Sequence, residues 1–257
     1  MKQTYKEYFC NRASVRNFTE QIPESSLIEN IVETAMQAPN TGNMQLYSVV
    51  ETRDPDNLKK IAPFHFNQPA VVNAPVILTV CADLKRFERW CDVSDAQSGM
   101  RNLQMQLAAI IDATIFAQQI VTVAELEGLG TCYLGTITYN APEIAEALDL
   151  PDGVLPVAAL AMGYPAGKPE KCERLPLKAI LHKEKYVNFD DSNIKELYKE
   201  KEEYAPNKKF VEENGKQTLA QVFTDVRYPK KNNELFSEKL EAYFLDKGLT
   251  LSGKTSE

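Results

Sequence analysis

The chain has 257 residues, 44% of them hydrophobic and 25% charged, and a net charge of −7 from 29 Lys+Arg against 36 Asp+Glu. That length suits one large α/β or α+β domain able to bury its own core, and the acidic balance disfavours a nucleic-acid partner. No run reaches the roughly 18 apolar residues of a membrane span, and the opening MKQTYKEYFC does not resemble a signal peptide.

Near the start, NRASVRNF sets Arg12, Ser14 and Arg16 two residues apart, with Ala13 and Val15 between them. In an extended segment the first three share one side and the other two the opposite side. Such a row is either a solvated strand face or a cradle for an anion. Pro23 to Ala38 reads as a helix, with Leu27, Ile28, Ile31, Val32, Ala35 and Met36 at helical spacing and Pro39 as its stop. The loop APNTGNMQ follows, rich in turn formers. Leu46–Thr52 is a strand candidate and Leu58–Ala62 a short helix. The near-continuous apolar run Ala74–Asp83 reads as a strand covered on both faces.

Gly99 to Glu127 carries a long helical pattern with a wide apolar stripe from Leu103 to Ala124, one that its own domain or a second subunit could cover. GLGTCYLGTI, Gly128 to Ile137, ends that helix and opens a strand. Ala141–Leu148 is a short helix, and Val154–Pro165 another buried strand. Beyond Tyr186 the composition changes. Lys195–Lys216 holds six Lys and six Glu, broken at Ala205-Pro206-Asn207, as expected of a solvated helical excursion. Phe223, Tyr228, Leu235, Phe236, Leu240, Tyr243 and Phe244 are placed to dock a last helix, and Lys254–Glu257 is expected to fray.

Several chemistries are excluded. The five cysteines, Cys10, Cys81, Cys91, Cys132 and Cys172, are odd in number and form no C-x-x-C pair. They read as free thiols of a reducing cytoplasm. The two histidines, His65 and His182, lie too far apart in sequence to suggest a metal site, and His182 reads as a structural residue. Gly128, Gly130 and Gly135 follow a helix and precede a strand, the reverse of a dinucleotide fingerprint. Neither a G-x-S-x-G elbow nor a Walker A sequence is present.

Four separated segments nevertheless form one ordered pattern: Arg12-x-Ser14-x-Arg16; Ala38-Pro39-Asn40-Thr41-Gly42-Asn43-Met44-Gln45; Gly128-Leu129-Gly130 with Tyr133-Leu134-Gly135; and Gly163-Tyr164-Pro165 followed by Arg174-Leu175-Pro176. In this order the chain resembles the nitroreductase family of FMN-dependent NAD(P)H oxidoreductases, nearest the branch of oxygen-insensitive nitroreductases and bacterial flavin reductases. The resemblance spans Phe9 to about Tyr186 and is looser in the tail.

The resemblance implies an α+β fold: a central mixed sheet covered by helices, with a C-terminal helical excursion, in an intertwined homodimer with FMN at the subunit interface. It implies a single domain over residues 1–257, with 1–186 the FMN-binding core and 187–257 packing over that core or the partner subunit. It assigns Arg12, Ser14 and Arg16 to the FMN phosphate and ribityl chain, a task suited to the planar guanidinium fork. Arg174 matches a further phosphate arginine, while the basic residue expected two positions earlier is Cys172. Asn43 matches an asparagine that hydrogen-bonds the flavin, and Asn40, Thr41 and Gln45 share its loop. Gln68 falls near the ring, and the backbone of Tyr133, Leu134 and Gly135 along it. The family's Gln-Pro-Trp is Gln45-Leu46-Tyr47 here.

The implied activity is ping-pong hydride transfer from NAD(P)H through FMN to a small-molecule acceptor: a nitro compound, a quinone or a flavin. The flavin carries the redox chemistry, so no protein residue is expected to act as a catalytic acid, base or nucleophile. Two other readings keep the fold: a specialised dehalogenase, dehydrogenase or ene-reductase, and a non-catalytic flavin binder. The branch that prefers NADPH uses tail arginines for the 2′-phosphate. Val211–Val222 offers only Lys216, with Arg227 slightly beyond, so mild NADPH preference or use of both nucleotides is expected.

Overall fold

In the computed structural model, which describes residues 5–249, four strands form one sheet in the order β1-β2-β4-β3. Lys254–Glu257, expected to fray, lie outside the described residues. In chain order the elements begin with α1 (Tyr5–Asn11), α2 (Ser25–Ala35), β1 (Tyr47–Thr52), α3 (Pro55–Ile61), α4 (Pro69–Val72) and β2 (Val76–Asp83). Then come α5 (Lys85–Val93), α6 (Leu103–Leu126), β3 (Gly130–Tyr133), α7 (Ala141–Ala147) and β4 (Val154–Gly163). The tail adds α8 (Asp191–Glu203), α9 (Ala205–Glu213), α10 (Leu219–Val222), a π-helical turn at Phe223–Arg227, and α11 (Lys230–Asp246).

The α+β class holds, but the mixed sheet does not. Every pairing among the described strands is antiparallel: β1 with β2, β2 with β4, and β3 with β4. The apolar run of β2 reflects burial on both faces rather than strand direction. Val76, Leu78 and Val80 point into one core with Phe116, Ala117 and Ile120 of α6. Ile77, between them, points into a second core with Cys132, Leu134, Ile137 and Ile144. This is the period of two expected of a pleated strand.

The Asn102 side chain caps α6 by accepting from the Met105 amide. The left-handed Gly128, at φ 87°, follows its end and lets the chain turn back into β3. By length and a mean hydropathy of 1.7, α6 alone among the described helices could cross a membrane. One of its faces, however, fills the core against the sheet. On another face Leu107, Ile111 and Ile115 recur every fourth residue and are exposed. The sequence pattern does not pick out α1, α4 and α5, which are short, and it starts α3 too late. Asp54 caps α3 by accepting from the amides of Asp56 and Asn57.

The chain falls into two compact units. One comprises the residues up to Asn11 with Lys171–Leu235; the other comprises Arg12–Glu170 with the residues from Phe236 on. In the first, α8 carries an Asp190 capping box, and Tyr204 marks the break before α9, as the Ala-Pro-Asn step predicts. Glu173 accepts from Lys201, at 2.5 Å, and from Asn207, at 3.0 Å. His182 is structural, its Nδ1 accepting from the Val187 amide at 3.1 Å.

Candidate cofactor site

The Arg12–Thr19 segment is extended because it hydrogen-bonds to the edge of the sheet. The Val15 amide donates to the Thr131 carbonyl at 2.9 Å, and Thr19 to that of Tyr164 at 2.8 Å. The Ala166 amide donates to Asn17 at 3.0 Å. Val15 is buried. A Cβ on Gly130 would lie 2.6 Å from that of Val15, so glycine is what lets this segment meet β3 here.

This pairing turns Ser14 and Arg16 into a cavity of about 450 Å³, whose other wall is Ala166–Glu170. Lys168 lines the same cavity. No sequence motif points to it, because it sits in the loop after β4. Arg12 departs from the row: its guanidinium lies 3.2 Å from Glu125 of α6, and its buried Nε has no hydrogen-bond partner. Glu125 also accepts from Thr131 at 2.6 Å. Arg174 belongs to the other compact unit, where it donates to the carbonyls of Cys172 and Glu173 at 3.1 and 2.9 Å.

The 38–45 loop is a tight turn. Gly42, Asn43 and Gln45 have φ values of 57°, 57° and 51°, a left-handed region that side chains adopt reluctantly. Asn40 and Thr41 build the turn. Asn40 Oδ1 accepts from the Gln45 amide at 3.0 Å. Thr41 donates its amide to both oxygens of the buried Asp112, at 2.9 and 3.1 Å, and its hydroxyl to Oδ1 at 2.8 Å. Arg86 donates to the carbonyls of Gln45 and, at 3.1 Å, Tyr47. The Asn43 side-chain amide makes no hydrogen bond among the described residues.

The third strip is Tyr133–Gly135. Leu134 is buried and donates its amide to Ala159 at 2.8 Å, while Gly135 is exposed and the space beyond its Cβ direction is open. Burial pushes the Tyr133 phenol up to about 12, against the opposing charge of Arg12. Behind the strip, His65 holds Thr136. Asn140 is fixed by the Phe64 carbonyl at 2.7 Å and by Lys239 at 3.0 Å. Gln68 caps α4 by position, half-buried. The residues present suit a phosphate with a flat ring attached: cations around a cavity, an orphaned guanidinium nitrogen, and a glycine with open space in front of it.

The model of the Nitroreductase family matches residues 10–164. The chain belongs to the nitroreductase family. An FMN reductase (NADPH) of Bacillus subtilis is 34% identical over 188 residues, covering 72% of this chain and 76% of the relative. A second, FMN reductase [NAD(P)H] of the same organism, is 32% identical over 222 residues, covering 84% and 89%. Among solved structures, a Bacteroides fragilis protein shares 45% identity at a TM-score of 0.91, covering 93% of this chain and 97% of that one. The NfrA1 nitroreductase of B. subtilis shares 28% at 0.79, covering 91% and 98%. The fold of the family thus extends through the tail, where the sequence pattern alone was loose.

Proposed function

We propose that this chain is an FMN-dependent NAD(P)H oxidoreductase that reduces small-molecule acceptors such as nitro compounds, quinones or flavins. The observation that carries this reading is the cavity of Ser14, Arg16 and Lys168, joined through the Val15–Thr131 hydrogen bond to the strand that leads into Tyr133–Gly135. Family membership and the FMN reductases among the relatives support it. When bound, FMN supplies the hydride acceptor, taking electrons from the nicotinamide and passing them to the acceptor.

The chain's own residues bind and orient. Ser14, Arg16 and Lys168 hold the phosphate by charge-assisted hydrogen bonds. Arg12, steered by Glu125, offers its orphaned Nε. Arg174 joins this set by resemblance alone. Asn40, Thr41 and Gln45 shape the turn that presents Asn43 to the flavin, with Gln68 near the ring. The backbone of Tyr133, Leu134 and Gly135 lies along it, and buried Leu134 keeps water from behind. A second copy of the chain covers the exposed stripe of α6, placing FMN at the subunit interface. The free thiols, three of them buried, suit a reducing cytoplasm.

The purified protein should be yellow and should bleach with NADPH or NADH under anaerobic conditions. Chromatography of the flavin released on denaturation should give FMN. A protein that takes up no FMN, or that carries FAD as its main flavin, would overturn the reading.

A further inference from the structure

We infer that Asp112 is a positioning residue for the reaction: from α6 it fixes the Thr41 turn so that Asn43 meets the flavin in one orientation. The inference deepens the reading of the site just given and rests on it.

Asp112 is 1% exposed. A buried carboxylate is costly unless hydrogen bonds satisfy it, and here three hydrogen bonds reach it from one residue, Thr41. Among the described residues Asp112 joins no ion pair. Its partner lies 71 positions away in sequence, at the head of the turn, whereas α6 is held independently by its packing against the sheet. The carboxylate is therefore not needed to place its own helix; its bonds are spent on the turn.

The turn needs that anchor. Two of its non-glycine residues, Asn43 and Gln45, are left-handed, and the supports from Asn40 and Arg86 reach only its far end, at Gln45 and Tyr47. Asn43 lies between the two anchors, with its side-chain amide uncommitted. Without Asp112 the near end keeps only the turn's own bond from the Met44 amide to the Thr41 carbonyl, at 3.0 Å, and the Asn43 amide loses its fixed direction. The acceptor chemistry is specific. Both carboxylate oxygens take the Thr41 amide, so an asparagine of the same shape would turn an NH2 donor toward another donor.

The test compares FMN-saturated holoproteins: wild type, Asp112→Asn, Thr41→Ala, Asn43→Ala, and Asp112→Asn combined with Asn43→Ala. Visible absorbance and the midpoint potential of the bound flavin are the readouts, because a merely structural role lowers the melting temperature without moving either. Asp112→Asn and Thr41→Ala should shift both in the direction of Asn43→Ala, with FMN affinity falling about tenfold, the scale of one hydrogen bond. Asp112→Asn should add nothing once Asn43 is Ala. Spectra and potentials that stay at wild type, or shifts that add in full, would overturn the inference while leaving the bound FMN to support the site. A wild type that takes up no FMN removes both. Thr41 is exposed, so Thr41→Ala carries the test if Asp112→Asn does not fold.

Discussion

His65 Nδ1 lies 2.8 Å from Thr136 Oγ1, and both side chains are buried. The ring's other nitrogen has no partner, and burial lowers its pKa from 6.5 to about 4. The folded protein therefore keeps this imidazole neutral in a range where the unfolded chain protonates it. The unfolded state takes the proton first, so stability is complete above pH 6.5 and falls as pH drops towards 4. The expected loss by pH 4.5 is on the order of 2–3 kcal/mol. Denaturant unfolding at pH 7 and 4.5 should show a smaller acid loss for His65→Gln than for wild type. Equal losses would refute the assignment.

Arg16→Ala should weaken FMN binding by about 1.5–3 kcal/mol, the range for a hydrogen bond to a charged group. Lys168→Ala should cost less, about 1 kcal/mol, because a solvated point charge is screened. Both effects should shrink with added salt. Titration of apoprotein with FMN at two ionic strengths measures this, and unchanged affinity in both variants would remove the phosphate from this cavity.

The exposed stripe of α6 predicts a homodimer. Ile111 is 56% exposed in the single chain, and Ile111→Glu should place a charge in the covered surface. Sedimentation should find the wild type as a dimer and the variant as a monomer at micromolar concentration. A flavin-loaded wild-type monomer would contradict the arrangement.

Nucleotide discrimination should be weak. Lys216 is paired with Asp225 at 2.8 Å, and Arg227 stacks over the Phe210 ring at 4.6 Å. Neither offers a free bidentate fork to a 2′-phosphate. Steady-state kinetics should give kcat/KM values for NADPH and NADH within about a hundredfold, or nearly 3 kcal/mol. A larger ratio would require another phosphate-binding group.

The sequence made legible the local backbone shape of the candidate site where it lies in continuous motifs. The extended row at Arg12–Arg16, the Asn-rich turn and the Gly128–Gly135 passage are each local, and their turn chemistry or period is visible in a few residues. Arg12 stands apart from its row for a reason the row itself does not show: its ion-pair partner, Glu125, belongs to another element. Asp112 and His65 were invisible for the same reason. Each meets its partner across 71 positions of chain, and an aspartate in an apolar helix or a histidine in a loop carries no local sign of burial. The sheet's direction was hidden too, since β2 is apolar whichever way its neighbours run.

Ile111 and Asp112 are consecutive on α6, yet one faces outward and the other holds Thr41. In the proposed dimer the subunit contact and the cofactor turn are fastened to adjacent points of one rigid rod. The flavin band of such a dimer should therefore change on dilution past dissociation, which would make colour a gauge of oligomerisation with no label attached.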